Sequence, residues 1–177
     1  MAPRRTQWWS RRADGIVVLR LLPDEAQLLQ QVFRELQNLL DDSPDDPVVK
    51  RLFPTAYLDP TEEAREHEYQ VLAHASLMRT RLDTLGELLA TLDPIARGRK
   101  RVELALDEEQ VNRWMGALND VRLALGVALD ISEDVDPDDF ELDDPRRLGV
   151  EVYGLLTWFF GELVDVLLGA LPEDGLD

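Results

Sequence analysis

The stretch that decides the fold runs from Asp107 to Ile131 and reads DEEQVNRWMGALNDVRLALGVALDI. Its apolar residues recur every three or four positions, which places them on one face of an α-helix of about six turns. Asp107 can accept a hydrogen bond from the N–H of Gln110, and the Gln110 side chain can reach back to complete a capping box. The pattern predicts a central helix near 108–129. The apolar stripe consists of Val111, Trp114, Met115, Leu118, Val121, Leu125 and Leu129.

The N-terminal residues predict a β-hairpin at positions 5–21. Asp14-Gly15 stands between two runs that are rich in aromatic and β-branched residues, which is a strong signal for a tight hairpin turn. Apolar and polar residues also alternate near 101–106, so we expect a short strand there that joins the hairpin in a small antiparallel sheet.

The remaining long apolar patterns predict helices, which gives about four long helices with the central one. In the helix near 61–92 the apolar residues are spaced alternately by four and three positions, as in a heptad seam. Asp93-Pro94 is expected to end this helix. Such a seam favours packing against a neighbouring helix of the same chain, although a homodimer is possible. The three further helices are predicted near residues 24–41, 61–92 and 146–170.

These elements predict a mainly α fold. We expect one domain over residues 1–177, with the hairpin at 5–21, a helical body at 24–171 and an acidic loop at 130–144. The architecture is then a helical bundle of about four long helices with a small antiparallel sheet.

The composition excludes several classes of function. The chain has 36 acidic and 19 basic side chains, which gives a net charge of -17. This charge repels nucleic-acid phosphate and anionic lipid, so we expect neither direct nucleic-acid binding nor a membrane partner. The chain contains no cysteine, which excludes a thiol switch of its own. The N-terminus lacks the apolar run of a secretory signal, and a cytoplasmic location is therefore expected.

Arginines beside Trp8 and Trp9 suggest a second interpretation of the hairpin, since such pairs can stack on single-stranded nucleic acid. We favour a structural role, in which one tryptophan packs on the core and the arginines face the acidic surface, because the overall charge opposes nucleic acid.

The acidic loop either steers a basic protein partner electrostatically or, as a solvated run of charge, only keeps the protein soluble. It can also be aligned with a calcium loop that starts at Asp130, but Val135 occupies the position where the sharp turn needs glycine. We therefore expect no metal, no cofactor and no catalytic residue, and the sequence contains no HExxH motif or glycine-rich phosphate loop. The candidate partner-binding residues of the loop are Asp134, Asp136, Asp138 and Asp139.

Arg122 is a further candidate partner-binding residue, since it is a cation beside Asn119 and Asp120 on the central helix. The alternative is a structural ion pair with an acid of a neighbouring element. We favour the ion pair, because a base this close to a bundle seam usually needs a carboxylate to offset desolvation.

Three segments together resemble a known family: Leu52-Phe53-Pro54-Thr55-Ala56-Tyr57, the run WMGALNDVRLALG from Trp114 to Gly126, and Tyr153-Gly154-Leu155-Leu156-Thr157-Trp158. They look like the actinobacterial domain-of-unknown-function family whose members include oxidative-stress transcriptional regulators (AosR-like). The resemblance implies a small regulator that is not an enzyme and that acts with a sigma factor or RNA polymerase. This chain departs from a thiol-switch mechanism, because it has no cysteine.

Two other classes of function remain open. An acidic domain can serve outside transcription, as an adaptor in protein turnover or as a mimic that fills a nucleic-acid-binding groove. The third possibility is an enzyme with a carboxylate-bound metal, which is supported only by the abundance of acidic residues.

Overall fold

The computed structural model describes residues 7–43, 45–53, 75–131, 141 and 144–169. These residues form five helices, four of them long, and one three-stranded antiparallel sheet, which confirms the predicted fold class. The helices are α1 (Pro23–Asp42), α2 (Pro47–Leu52), α3 (Ala75–Ala96), α4 (Glu108–Ala128) and α5 (Arg147–Leu168). The strands are β1 (Trp9–Arg11), β2 (Val17–Leu21) and β3 (Val102–Leu106).

The sheet has the order β1-β2-β3, with both pairs antiparallel. Leu19 of the middle strand lies opposite Trp9 on one side and Leu104 on the other. Gly15 takes a φ of 88° in the turn, and the Ile16 N–H donates to Asp14 Oδ1 at 3.1 Å. The predicted hairpin and third strand are therefore confirmed, while residues 5 and 6 of the predicted range lie outside the described residues.

Strand β1 is attached to the last helix by side-chain and main-chain hydrogen bonds. Glu162 Oε2 accepts from the backbone N–H groups of Trp8 and Trp9, at 2.9 and 3.2 Å. The Trp9 indole N–H donates to the carbonyl of Phe159 at 3.0 Å, and the Trp9 side chain is fully buried. The structural interpretation of the N-terminal tryptophans is confirmed for Trp9.

Helix α4 is the central element of the core, as predicted. Its capping box is present, because Gln110 N donates to Asp107 Oδ1 at 2.8 Å and Asp107 N donates to Gln110 Oε1 at 2.9 Å. The helix contacts all four other described helices and β3. Trp114, Leu118 and Val121 are buried in the core, where the Trp114 ring lies beside those of Trp9 and Phe33.

Helix α3 packs along α1, which places the described part of the heptad seam inside the chain. Leu85 and Leu92 of the seam are buried; residues 61–74 of the predicted helix lie outside the described residues. The predicted end at Asp93-Pro94 is wrong, since the helix continues to Ala96 with Pro94 inside it. Burial of Ile95 and Ala96 in the core outweighs the cost of the missing N–H.

Candidate functional site

Most of the acidic loop lies outside the described residues. Asp134, Asp136, Asp138 and Asp139 lie outside the described residues, as do most ligands of the calcium alternative. At the loop's ends, Asp130 is exposed, and Asp144 pairs with Arg146 at 3.2 Å. The hydrogen bond from Arg146 holds the pKa of Asp144 below its usual range. The four loop aspartates therefore stay predicted partner-binding residues.

Arg122 lies in the interface between α4 and α5, where a hydroxyl group and an aromatic ring contact its guanidinium group. Its Nε donates to the hydroxyl of Thr157 at 3.1 Å, and its guanidinium carbon lies 4.9 Å from the centre of the Phe160 ring. No carboxylate in the described part of the chain pairs with it. Among the described residues, the partners are a hydroxyl and the negative face of an aromatic ring. The acids of residues 132–140 and Asp143 lie outside the described residues, so the ion pair stays a prediction.

Replacing Arg122 with alanine should lower the free energy of unfolding by about 0.5–1.5 kcal/mol, because one hydrogen bond and one cation–π contact are lost. Urea-induced unfolding followed by circular dichroism measures this change. Arg122→Lys keeps the cation near the Phe160 ring and should lose less stability. An unchanged stability of Arg122→Ala, together with loss of partner binding, would establish Arg122 as a partner contact instead.

Asp120 of the central helix forms an ion pair with Arg81 of α3, at 2.8 Å. Only 14% of the Asp120 side chain is exposed, and burial raises the pKa of this carboxyl although Arg81 opposes the rise. The Arg81 guanidinium carbon also lies 4.6 Å from the centre of the Phe53 ring. One arginine thus connects α3 to α4 and to the end of α2.

A second arginine bridges the same two helices nearer the surface. Arg113 of α4 donates to Glu87 of α3, and at 2.6 Å to Glu109 one turn back along its own helix. The hydrogen bond that Arg113 donates to Glu109 raises the pKa of Arg113. The Arg81–Asp120 bridge is balanced in charge, whereas the bridge of Arg113 with Glu87 and Glu109 keeps one negative charge in excess.

The two bridges line an open cleft of about 690 Å³ between α3 and α4. Asn112, Gly116 and Asn119 contribute to the α4 wall, and Thr80 and Asp83 to the α3 wall. We call this volume the α3–α4 cleft. The remaining lining residues are Arg81, Thr84, Leu85, Glu87, Glu109, Arg113, Ala117 and Asp120.

Sequence reasoning did not identify the α3–α4 cleft, although one signal was present. Asp120 lies at the edge of the apolar stripe of the central helix, where a carboxylate is partly desolvated and needs a cation nearby. Periodicity does not reveal which helix supplies that cation, because Arg81 is 39 residues away in the chain.

The described residues contain neither a cluster of metal-ligating side chains nor a membrane-spanning helix. No group of three or more histidine, aspartate or glutamate side chains among them is placed to hold a metal ion. None of the helices in the same part of the chain is both long and apolar enough to cross a bilayer.

The profile of a family described as "Domain of unknown function (DUF2017)" matches residues 3–167. The oxidative stress regulator AosR of Mycobacterium tuberculosis is 30% identical over 183 aligned positions, which cover 85% of this chain and 81% of that protein. The putative oxidative stress regulator AosR of Mycobacterium leprae is 32% identical over 125 residues, so the alignment spans 64% of this chain and 55% of the relative. No solved structure matches this chain significantly.

Proposed function

Because this chain belongs to the DUF2017 family, we propose that it is a non-enzymatic cytoplasmic regulator of a stress response that acts through protein contacts with a sigma factor or RNA polymerase. The observation that carries the proposal is the similarity, over most of the chain, to proteins named oxidative stress regulators. The names of the relatives support a role in a stress response. The contact with the transcription machinery is our own proposal.

The amino-acid composition limits the mechanism. With no cysteine, the chain cannot sense an oxidant by forming a disulfide or a sulfenic acid. In this proposal the signal instead changes the amount of this protein, acts on its partner, or changes the binding of a non-covalent ligand. Regulation of this kind requires only that the fraction of partner bound by this protein changes with the concentration of either one.

The charge supports a protein partner rather than DNA. A net charge of -17 repels phosphate and speeds encounter with a basic protein surface. The chain therefore regulates by docking on such a surface, without a covalent switch. The acidic loop with Asp134, Asp136, Asp138 and Asp139 steers the encounter, since its carboxylates follow one another without an intervening base.

Titration of the fluorescently labelled protein with purified RNA polymerase and with purified sigma factors of the same organism tests this function. We expect saturable binding to one of them that weakens near 1 M salt, where the Debye length falls to about 3 Å. Treating this chain alone with peroxide should leave the affinity unchanged. Saturable binding to neither protein, or binding to protease components instead, would contradict the proposal.

Neutralising the loop should slow association with that partner. In a variant that carries Asn at positions 134, 136, 138 and 139, the association rate should fall and its dependence on salt should flatten, because the steering charge is reduced. Stopped-flow fluorescence at several salt concentrations measures both quantities. A variant with Asn at the exposed acids Asp24, Asp41 and Asp42 of α1 serves as a control of comparable type. Equal association rates for wild type and loop variant would remove the loop from the mechanism.

A further inference from the structure

We propose that the α3–α4 cleft is the docking site for a basic segment of the partner protein, and that it receives an arginine or lysine side chain against Asp120. This inference rests on the proposed function, because it takes the partner to be a protein with a basic surface. In this proposal the partner contacts the α3–α4 cleft, whereas the acidic loop only increases the rate at which the two proteins meet.

The charges of the cleft favour a cation. Its lining includes four carboxylates and two guanidinium groups, so negative charge remains when the arginines are counted. Arg81 is engaged by Asp120, and Arg113 by Glu87 and Glu109, so neither arginine is available to bind an anion without losing an existing partner. An incoming anion would also meet the whole protein's net charge of -17.

The α4 side of the cleft has unused hydrogen-bond acceptors. Asp120 accepts one hydrogen bond, from Arg81 to Oδ2, and its Oδ1 accepts none from the described residues. The side chain of the neighbouring Asn119 is half-buried and makes no hydrogen bond to any residue in the same set. A guanidinium or ammonium group can donate to both residues, which would replace the water that Asp120 has lost by burial.

Gly116 leaves room for another molecule on the α4 wall of the cleft. It lies in the middle of α4, where glycine is the weakest helix former apart from proline, and it is exposed on the wall of the cleft. A Cβ atom at this position would meet nothing within 4 Å, so packing inside the chain does not require glycine here. The missing side chain leaves the rim of the cleft open for a partner's backbone or side chain.

The shape of the cleft favours a segment of a protein over a small molecule. The cleft is open along the two helices instead of enclosing a ligand, and its polar groups are spread over both walls. Small-molecule sites are usually concave and mostly apolar, with few polar groups. A basic segment that lies along the groove can place one cation at Asp120 and satisfy the rim acids with others.

A pair of glycine substitutions tests the cleft with a matched control. Gly116→Gln extends a side chain into the cleft, whereas Gly86→Gln on α3 places the same side chain in open space at a residue that does not line it. Both changes replace glycine by a better helix former, so both variants should fold and melt at or above the wild-type temperature. Asp83→Asn, at an exposed residue of the α3 wall, removes one cleft charge without breaking an ion pair within the described residues.

Hexa-arginine serves as the probe, and hexa-citrulline, in which a neutral urea replaces each guanidinium, is the control peptide. In NMR titrations of the isotope-labelled full chain at ~0.15 M salt, hexa-arginine should shift amide signals of residues 80–87 and 112–120 saturably, including the side-chain amide of Asn119. Hexa-citrulline should shift none of them. Gly116→Gln should weaken hexa-arginine binding by about ten-fold, Asp83→Asn by less, and Gly86→Gln should bind like wild type.

Two results would overturn the cleft assignment. One is that hexa-arginine shifts only residues outside the cleft; the other is that Gly116→Gln and Gly86→Gln bind it equally well. Either result leaves the proposed function intact if a sigma factor or RNA polymerase still binds the wild-type protein. Conversely, if neither of those proteins binds while the peptide still occupies the cleft, the proposed function fails and the site itself stands.

Discussion

Replacing Leu118 with alanine should lower the free energy of unfolding by about 2–5 kcal/mol. The Leu118 side chain has no exposed surface and belongs to the core cluster that the helices share with the sheet. Truncation removes buried methyl groups and leaves a cavity in the central helix's packing surface, where neighbouring side chains relax only in part. Urea denaturation monitored by circular dichroism measures the loss, with the slope checked for two-state behaviour.

Leu148→Ala is the matched control for this prediction, because it makes the same chemical change at a side chain that is 70% exposed on the last helix. Its effect should stay within about 0.5 kcal/mol. If Leu118→Ala also fell within that range, the apolar stripe of α4 would not be the main packing surface of the protein.

Replacing Glu162 with alanine should cost about 1.5–3 kcal/mol, which is the range for hydrogen bonds to a charged group. The substitution leaves the backbone N–H groups of Trp8 and Trp9 without their acceptor. Since both groups are at least partly buried, water replaces the carboxylate poorly. Thermal unfolding measures the loss, and amide hydrogen exchange should show faster exchange at these two tryptophans than elsewhere in the sheet.

Two further variants separate the role of Glu162 from a general effect of charge. Glu162→Gln keeps an oxygen acceptor and should lose less stability than alanine. Asp165→Ala removes a carboxylate from an exposed position of the same helix and should have little effect. Equal losses for Asp165→Ala and Glu162→Ala would argue that net charge, and not the hydrogen bonds to β1, stabilises the fold.

Local features of this fold could be predicted because they depend on residues that are close in sequence. The Asp107–Gln110 capping box and the turn at Asp14-Gly15 are both complete within four residues, and the structure confirms them. The apolar stripe of α4 could be predicted equally well, since helical spacing alone places Trp114 and Leu118 on one face, and both are buried. Neither feature requires knowledge of which elements meet.

Contacts between distant residues could not be predicted in the same way. Arg81 and Asp120 pair across 39 residues, and nothing in either helix specifies the other as its neighbour. For Arg122 the need for a partner in the bundle interior was recognised and an acid was predicted, whereas helical spacing did not reveal the contacts with Thr157 and Phe160. Pro94 shows the same limit, because burial of Ile95 decides that the helix continues.

The attachment of β1 to α5 has a consequence for synthesis on the ribosome. Trp8 is synthesised before its acceptor Glu162, which follows 154 residues later. Translation proceeds at about 5–20 residues per second, so strand β1 waits roughly 8 to 30 seconds for the last helix. During this time the Trp9 side chain lacks the Phe159 carbonyl and ring that it contacts in the finished fold. The nascent chain therefore carries an incompletely covered aromatic surface, which is the kind of surface that chaperones bind, until α5 has been synthesised.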